Sequence, residues 1–337
     1  MPSSSLRFGI LSTGNIARQF ADGVAGGERS AIVAVASRDE ARANAFAEAR
    51  GIPAAYGSYN ELLADPDVDA VYNALPNHLH HAWTLKALAA GKHVLCEKPF
   101  AANADEAREM FAAARRHDRR LVEAFMYRSH PQTKLALQMV HAGEIGTLKL
   151  IRTSFCFNVR QAAGNIRFDP DMAGGSLMDI GCYCVDLGQL FTGESPEEIT
   201  ATGHRHAAGG VDDYAAGAIR FPSGVVLSFA CGMTVQCDNV TYLCGDRGYI
   251  ETPWMWKPRA AGSSMRLRGQ VPPKQDPNQP AAADREIDTT AGKPLYALEA
   301  DDFAATVLDG APPVKSAEQT IATMAALDQM RATLGVI

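Results

Sequence analysis

At 337 residues the chain is too long for one small core and suits two domains. Its 47% hydrophobic and 21% charged residues match an ordinary globular protein, and a formal charge of −6 withholds the basic surface that nucleic-acid binding requires. No apolar run reaches the about 18 residues of a membrane-spanning helix, and residues 1–11 lack the basic and apolar regions of a secretory signal.

The seven cysteines include no C-x-x-C spacing. They read as reduced thiols, so a cytoplasmic protein is expected. From residue 8 to 124, short apolar runs (8–11, 31–36, 71–75, 93–96, 121–124) alternate with alanine-rich stretches of helical period (16–24, 40–50, 81–90, 105–116). Such alternation predicts βαβ units on a parallel sheet. After Tyr127 the texture changes. A helix is expected over 133–141, β-rich runs at 148–157, 215–221, 225–230 and 240–244, and a helical stretch at 176–191. Residues 221–225 read as a hairpin turn, and residues 257–294 as a long surface excursion. Two helices near 296–308 and 316–334 close the chain. The predicted fold is α/β: an N-terminal Rossmann domain, 1–126, and a C-terminal α+β domain, 127–337, with a large open, mainly antiparallel sheet. The last helices have room to pack back on the Rossmann domain.

Gly9-Ile10-Leu11-Ser12-Thr13-Gly14-Asn15-Ile16-Ala17 follows a strand and opens a helix. Against G-x-G-x-x-G/A, the glycine positions fall on Ser12, Gly14 and Ala17, with Ser12 the departure. The loop Ser12, Thr13, Gly14, Asn15 and Ile16 would seat a pyrophosphate on the helix N-terminus. At the end of the second strand stand Ser37 and Arg38 where an NAD enzyme keeps an acid. A hydroxyl and a guanidinium suit a 2′-phosphate, favouring NADP over NAD. The alternative is that Arg38 is solvated surface and Asp39 or Glu40 serves NAD; both acids equally fit the first turn of the next helix.

Two further segments are Leu75-Pro76-Asn77-His78-Leu79-His80, followed by Glu97-Lys98-Pro99 at a strand end, and Gly174-Gly175-Ser176-Leu177-Met178-Asp179-Ile180-Gly181-Cys182-Tyr183. With the glycine loop, these resemble the glucose–fructose oxidoreductase/inositol dehydrogenase/MocA family of NAD(P)-dependent sugar oxidoreductases, over essentially the whole chain. The resemblance implies a catalytic Lys98, with Leu75, Pro76, Asn77, His80 and Glu97 on the cofactor side. It also implies oligomerisation, as a homodimer or tetramer, through the C-terminal sheet. Many members carry His at the position of Tyr183. Tyr belongs to the branch with glucose–fructose oxidoreductase, aldose and xylose dehydrogenases and dimeric dihydrodiol dehydrogenase.

Asp179 and Tyr183 lie one helical turn apart and share a face. Ser176-x-x-Asp179 also fits a capping box, and Tyr183 also fits a core aromatic. In the catalytic reading Tyr183 is the acid/base, Lys98 lowers its pKa and steadies the alkoxide, and Asp179 holds a neighbouring hydroxyl. Phe155 and Phe157 share a strand face, as an apolar wall under a sugar ring or as sheet core. Arg128 is a candidate substrate contact; His130, Arg160, Arg167, Trp254 and Trp256 are weaker ones. No cluster has metal-ligand spacing, so no metal is expected. The expected activity is NADP-dependent oxidation of a pyranose at C1 to a lactone. Its rivals are a trans-dihydrodiol or dicarbonyl dehydrogenase, a cofactor-recycling aldose–aldose oxidoreductase, and a non-catalytic sugar- or nucleotide-sensing regulator. A small carbohydrate is the expected partner, with neither nucleic acid nor membrane.

Overall fold

The computed structural model describes residues 5–207, 210–269 and 284–337. The chain forms two compact units, Met1–Ser129 with Lys293–Met324, and His130–Gly292 with Ala325–Ile337.

The first unit is built on six strands: β1 (Leu6–Leu11), β2 (Ser30–Ala36), β3 (Ala54–Tyr56), β4 (Ala70–Asn73), β5 (His93–Glu97) and β6 (Leu121–Ala124). They pair in parallel in the order β3-β2-β1-β4-β5-β6. The order reverses between β1 and β4, and ligands of such sheets bind beyond the strand ends at that switch point. Strands β4 and β6 are buried at every residue, as expected of a sheet covered on both faces. Five helices connect the strands: α1 (Asn15–Val24), α2 (Glu40–Glu48), α3 (Tyr59–Ala64), α4 (His80–Ala89) and α5 (Ala104–Arg116). Helix α5 starts on the Asn103 cap, has Asp105 and Glu106 in its first turn and Arg115 and Arg116 in its last, each favourable to the helix dipole. The expected elements lacked β3 and α3. Three strand residues and a six-residue helix are too short to carry a period.

The second unit holds α6 (Pro131–His141) and α7 (Cys182–Thr192). Its eight strands are β7 (Leu148–Cys156), β8 (Glu198–Arg205), β9 (Asp212–Arg220), β10 (Val226–Gly232), β11 (Thr241–Gly245), β12 (Gly248–Thr252), β13 (Ser264–Gly269) and β14 (Arg285–Asp288). They run β14-β13-β12-β11-β7-β10-β9-β8, antiparallel except for β7 with β10. One face is apolar, with Ile151, Leu227, Phe229, Cys231 and Leu243 buried. On the other, the register sets Thr200, Ala218, Ser228, Arg152, Tyr242, Glu251, Arg266 and Glu286 in one row across all eight strands. Strand β8 was not anticipated, because its exposed residues lack the apolar half of a strand pattern. The surface excursion over 257–294 is corrected in part: β13 and β14 pair within it, and residues 270–283 lie outside the described residues.

Helix α8 (Leu295–Leu308) belongs to the first unit, packing Phe303 on Phe8 and Tyr296 on Phe20. Gly23 permits this approach: a Cβ there would stand 2.7 Å from that of Tyr296. Helix α9 (Ala317–Thr333) contributes residues to both units. No described helix is long and apolar enough to cross a membrane.

Candidate active site

In the first unit, Ser12 takes the place of the first glycine with φ 109°, a left-handed conformation unusual for any side chain but glycine's. Its hydroxyl accepts the amide of Gly14 at 3.0 Å, which stabilises the turn locally. Ala17 is fully buried against the sheet, as close helix–strand packing requires. Helix α1 begins at Gly14 without a side-chain cap and without an acid in its first turn. Gly14 and Asn15 are exposed; Ser12, Thr13 and Ile16 are half-buried. An uncapped N-terminus of this kind fits a pyrophosphate.

At the end of β2, Ser37 is buried and its hydroxyl accepts the Asp39 amide at 3.3 Å. Asp39 caps α2 through the Arg42 amide, 3.2 Å, and its other oxygen lies 3.4 Å from the Arg42 guanidinium. The alternative acid is thereby engaged as a helix cap. Arg38 is exposed, and its positive charge lies near enough to the Tyr59 phenol to oppose the rise that burial gives its pKa. A 2′-phosphate would meet an exposed guanidinium rather than a repelling carboxylate.

Beyond β4, Leu75 is buried and Pro76 and Asn77 are half-buried. His80, expected among the cofactor contacts, is fully buried. Its Nδ1 lies 2.8 Å from the Pro99 carbonyl and its Nε2 2.8 Å from the Leu75 carbonyl. The ring therefore joins the two loops that carry Pro76 and Lys98, and has no nitrogen left for a cofactor. Burial lowers its pKa to about 4, against the pull of the two carbonyls, so near pH 7 the imidazole is neutral and its single N–H donates to one of the two carbonyls only. At the end of β5, Glu97 is buried and accepts the Tyr72 hydroxyl and the Lys98 amide, the latter at 3.2 Å. Burial and this carboxylate push the Tyr72 phenol well above its ordinary range. Lys98 itself is half-buried.

Arg128 is corrected from substrate contact to internal tie. It is 4% exposed, and its Nη1 donates to the Val314 carbonyl at 2.7 Å and to Gln319 at 3.0 Å. Nearby, Lys315 and Glu123 form a fully buried pair at 2.7 Å. Neither could be foreseen, since the partners lie far along the chain.

In the second unit, Leu177–Gly181 form a single π-helical turn that leads into α7. Its N-terminus is not closed by a capping box. Asp212, from β9, accepts the Leu177 amide at 2.7 Å and the Ser176 hydroxyl at 2.6 Å. Asp179 instead accepts Arg167 Nε at 2.7 Å. Tyr183 is 3% exposed and lies edge-on to Phe155 at 5.2 Å and to Trp256 at 5.7 Å. Phe155 and Trp256 stack at 5.3 Å, with the indole N–H donating to the Ser154 carbonyl at 2.7 Å. Phe157 continues the wall, 6.4 Å from Phe155. His130 is buried and accepts the Gln132 amide at 3.1 Å, which makes it a helix cap. Trp254 is exposed, with Arg259 over its ring at 4.7 Å. Sequence reasoning underrated Arg167 and Trp256; only their nearness to the Gly174-Gly175 and Trp254 segments pointed to them.

Residues 6–125 match the family model described as an oxidoreductase family with an NAD-binding Rossmann fold, and residues 133–251 match the GFO/IDH/MocA C-terminal domain. A D-xylose 1-dehydrogenase (NADP(+)) of Haloferax volcanii is 38% identical over 330 residues, covering 96% of this chain and 95% of that protein. Human trans-1,2-dihydrobenzene-1,2-diol dehydrogenase is 35% identical over 335 residues, 98% of each. Among solved structures, the 3-ketoreductase KijD10 of Actinomadura kijaniata, in complex with NADP and TDP-benzene, is similar with TM-score 0.86 and 29% identity over 98% of each chain. With both halves matched and relatives aligned end to end, the chain belongs to the Gfo/Idh/MocA family of oxidoreductases.

Proposed function

We propose that the chain is an NADP-dependent oxidoreductase acting on a ring carbinol, with a pyranose oxidised at C1 to its lactone as the leading substrate. The observation that carries this reading is Tyr183, a phenol set among Phe155 and Trp256 on the helix whose preceding turn bears Asp179. The NADP-named xylose dehydrogenase and the exposed Arg38 support the cofactor. Ser12, Thr13, Gly14, Asn15 and Ile16 would hold the pyrophosphate, Ser37 and Arg38 the 2′-phosphate, and Leu75, Pro76, Asn77, Glu97 and Lys98 the nicotinamide side. Bound NADP supplies a hydride acceptor at nicotinamide C4.

The carbinol gives up one hydride and one proton. Tyr183 takes the proton at its phenolic oxygen, for which an ordinary pKa of about 10 is too high near neutrality. The Lys98 ammonium is proposed to lower that pKa and to stabilise the developing alkoxide. Asp179 accepts a hydrogen bond from a hydroxyl on the adjacent carbon. In this division, residues 1–126, with α8 packed on them, serve the cofactor, and the remainder of 127–337 serves the substrate and assembly. The row of small, polar and charged side chains on the open sheet face supports a homodimer or tetramer, which light scattering distinguishes from a monomer.

A second reading, a trans-dihydrodiol dehydrogenase, draws on the aromatic surround of Tyr183 and on the human relative. Assays of pyranoses and trans-dihydrodiols with NADP and NAD decide between the two. Lactone formed without net NADPH would mark the recycling oxidoreductase. NADP(H) binding without turnover of any carbinol would overturn the proposal in favour of a sensor. Lys98→Met should lose about 10²- to 10³-fold in kcat and move the residual activity to higher pH; an unmoved profile would remove Lys98 from the acid–base chemistry.

A further inference from the structure

Arg167 lies on the short turn Ile166–Phe168, and its backbone is pinned to the glycine pair that precedes the Tyr183 helix. Its carbonyl accepts the Gly175 amide at 2.8 Å, and a Cβ on Gly174 would stand 2.5 Å from that same oxygen. The two glycines therefore fix Arg167 relative to Asp179 on the following turn. The resulting ion pair is asymmetric. Asp179 is 13% exposed and Arg167 42%, and only Nε of the fork is used on the carboxylate. The two terminal nitrogens have no partner among the described residues, and the guanidinium lies over Phe157, 5.9 Å from the ring centroid. Phe157 adjoins Phe155, and Phe155 adjoins Tyr183. One wall of rings thus runs from the phenol to the fork.

We infer that Arg167 and Asp179 together select a ring bearing a hydroxyl on the carbon next to the one oxidised, a vicinal diol, and that Arg167 is the specificity-determining member. This deepens the reading of Tyr183 as the base and rests on it. A hydroxyl donates one hydrogen bond and accepts others. Its O–H donates to Asp179, and a guanidinium N–H of Arg167 donates to its oxygen. A methylene satisfies neither group, and a carbonyl oxygen accepts from Arg167 but gives Asp179 nothing. The pair therefore favours a sugar with a free 2-hydroxyl or a cyclic trans-diol over deoxy or dicarbonyl compounds, whichever ring the rest of the site takes.

The experiment measures kcat/KM with NADP for D-glucose against 2-deoxy-D-glucose and for trans-1,2-cyclohexanediol against cyclohexanol. It uses the intact chain, Arg167→Met and Arg167→Lys. In the pair that is oxidised, the parent enzyme should prefer the diol about 10- to 100-fold, the range of a charge-assisted hydrogen bond. Arg167→Met should bring that ratio toward one. Arg167→Lys, with an ammonium but no planar fork, should fall between; should the Met variant not fold, the Lys ratio decides alone. Equal losses on both members of a pair, or a parent ratio near one, would overturn the assignment while leaving hydride transfer in place. No NADPH from any of the four compounds would overturn the carbinol reading itself, and this inference with it.

Discussion

Two helix N-termini, one in each unit, are finished in opposite ways. Helix α1 starts at an exposed Gly14 with no capping side chain and no acid in its first turn. The turn before α7 starts under Asp212, a buried carboxylate from a distant strand that takes up one of its amides and the Ser176 hydroxyl. A helix end left without a partner in the protein exposes amides and a positive dipole to whatever anion arrives. A helix end closed from outside releases its own acid, and here that acid, Asp179, bonds Arg167. In the proposed function the open end is the one that receives a ligand charge, while the closed one leaves Asp179 for its neighbour Arg167.

Putting an acid on the open end breaks the comparison most strongly. Gly14 has φ −70°, which any residue adopts, and the N-cap position that it holds favours Asp. Gly14→Asp should hold or slightly raise the melting temperature, since its Cβ would only press on the Ser12 hydroxyl at 3.2 Å. Affinity for NADPH should fall about 10²-fold, because the carboxylate faces the pyrophosphate. Fluorescence titration and a thermal melt check both signs. Unchanged affinity would mean that α1 does not receive the cofactor.

Opening the closed end should cost stability instead. Asp212→Ala leaves the Leu177 amide and the Ser176 hydroxyl without their acceptor in a buried setting. A loss of about 2–4 kcal/mol in urea unfolding is expected, more than an exposed cap is worth. A loss under about 0.5 kcal/mol would mean that the end closes by another route. Arg38→Ala extends the test of the first site to its 2′-phosphate end. NADPH should weaken about 10-fold or more and NADH far less; parallel losses would refute the phosphate assignment.

The open end was legible from the sequence and the closed one was not, for a physical reason. Ser12 to Ala17, Ser37-Arg38 and Glu97-Lys98 are local: each site sits where a strand meets a loop, and the spacing along the chain reports it. The parallel sheet was legible likewise, because strands buried on both faces are continuous apolar runs. Asp212 acts on Ser176 and Leu177, Arg128 on Val314, and His80 on Pro99, through contacts that only the folded chain makes. The capping-box pattern at Ser176 and Asp179 was a true local preference that Asp212 overrode. Strands β8, β12, β13 and β14 escaped notice because one side of each is polar or the strand is short.

A third carboxyl sharpens the contrast with the smallest expected effect. Glu299, on α8, is 3% exposed, and neither oxygen finds a hydrogen-bond partner among the described residues. Unlike Asp212, it meets no helix end. Burial first, and then the Glu97 and Asp302 carboxylates, hold its pKa well above the usual range, so it keeps a proton when folded. The unfolded chain releases that proton above about pH 4.3. Native protein then binds more protons than unfolded, so this group's contribution is whole below that pH and declines as the pH rises toward the folded value. Glu299→Gln keeps the shape and removes the titration. The variant should melt within about a degree of the parent near pH 4 and about 2–4 °C above it near pH 5, where release of the proton from the unfolded chain amounts to ~1 kcal/mol in a domain of this size. A difference that does not grow between the two pH values would mean that Glu299 is ionised in the folded protein, with a partner that offsets its charge.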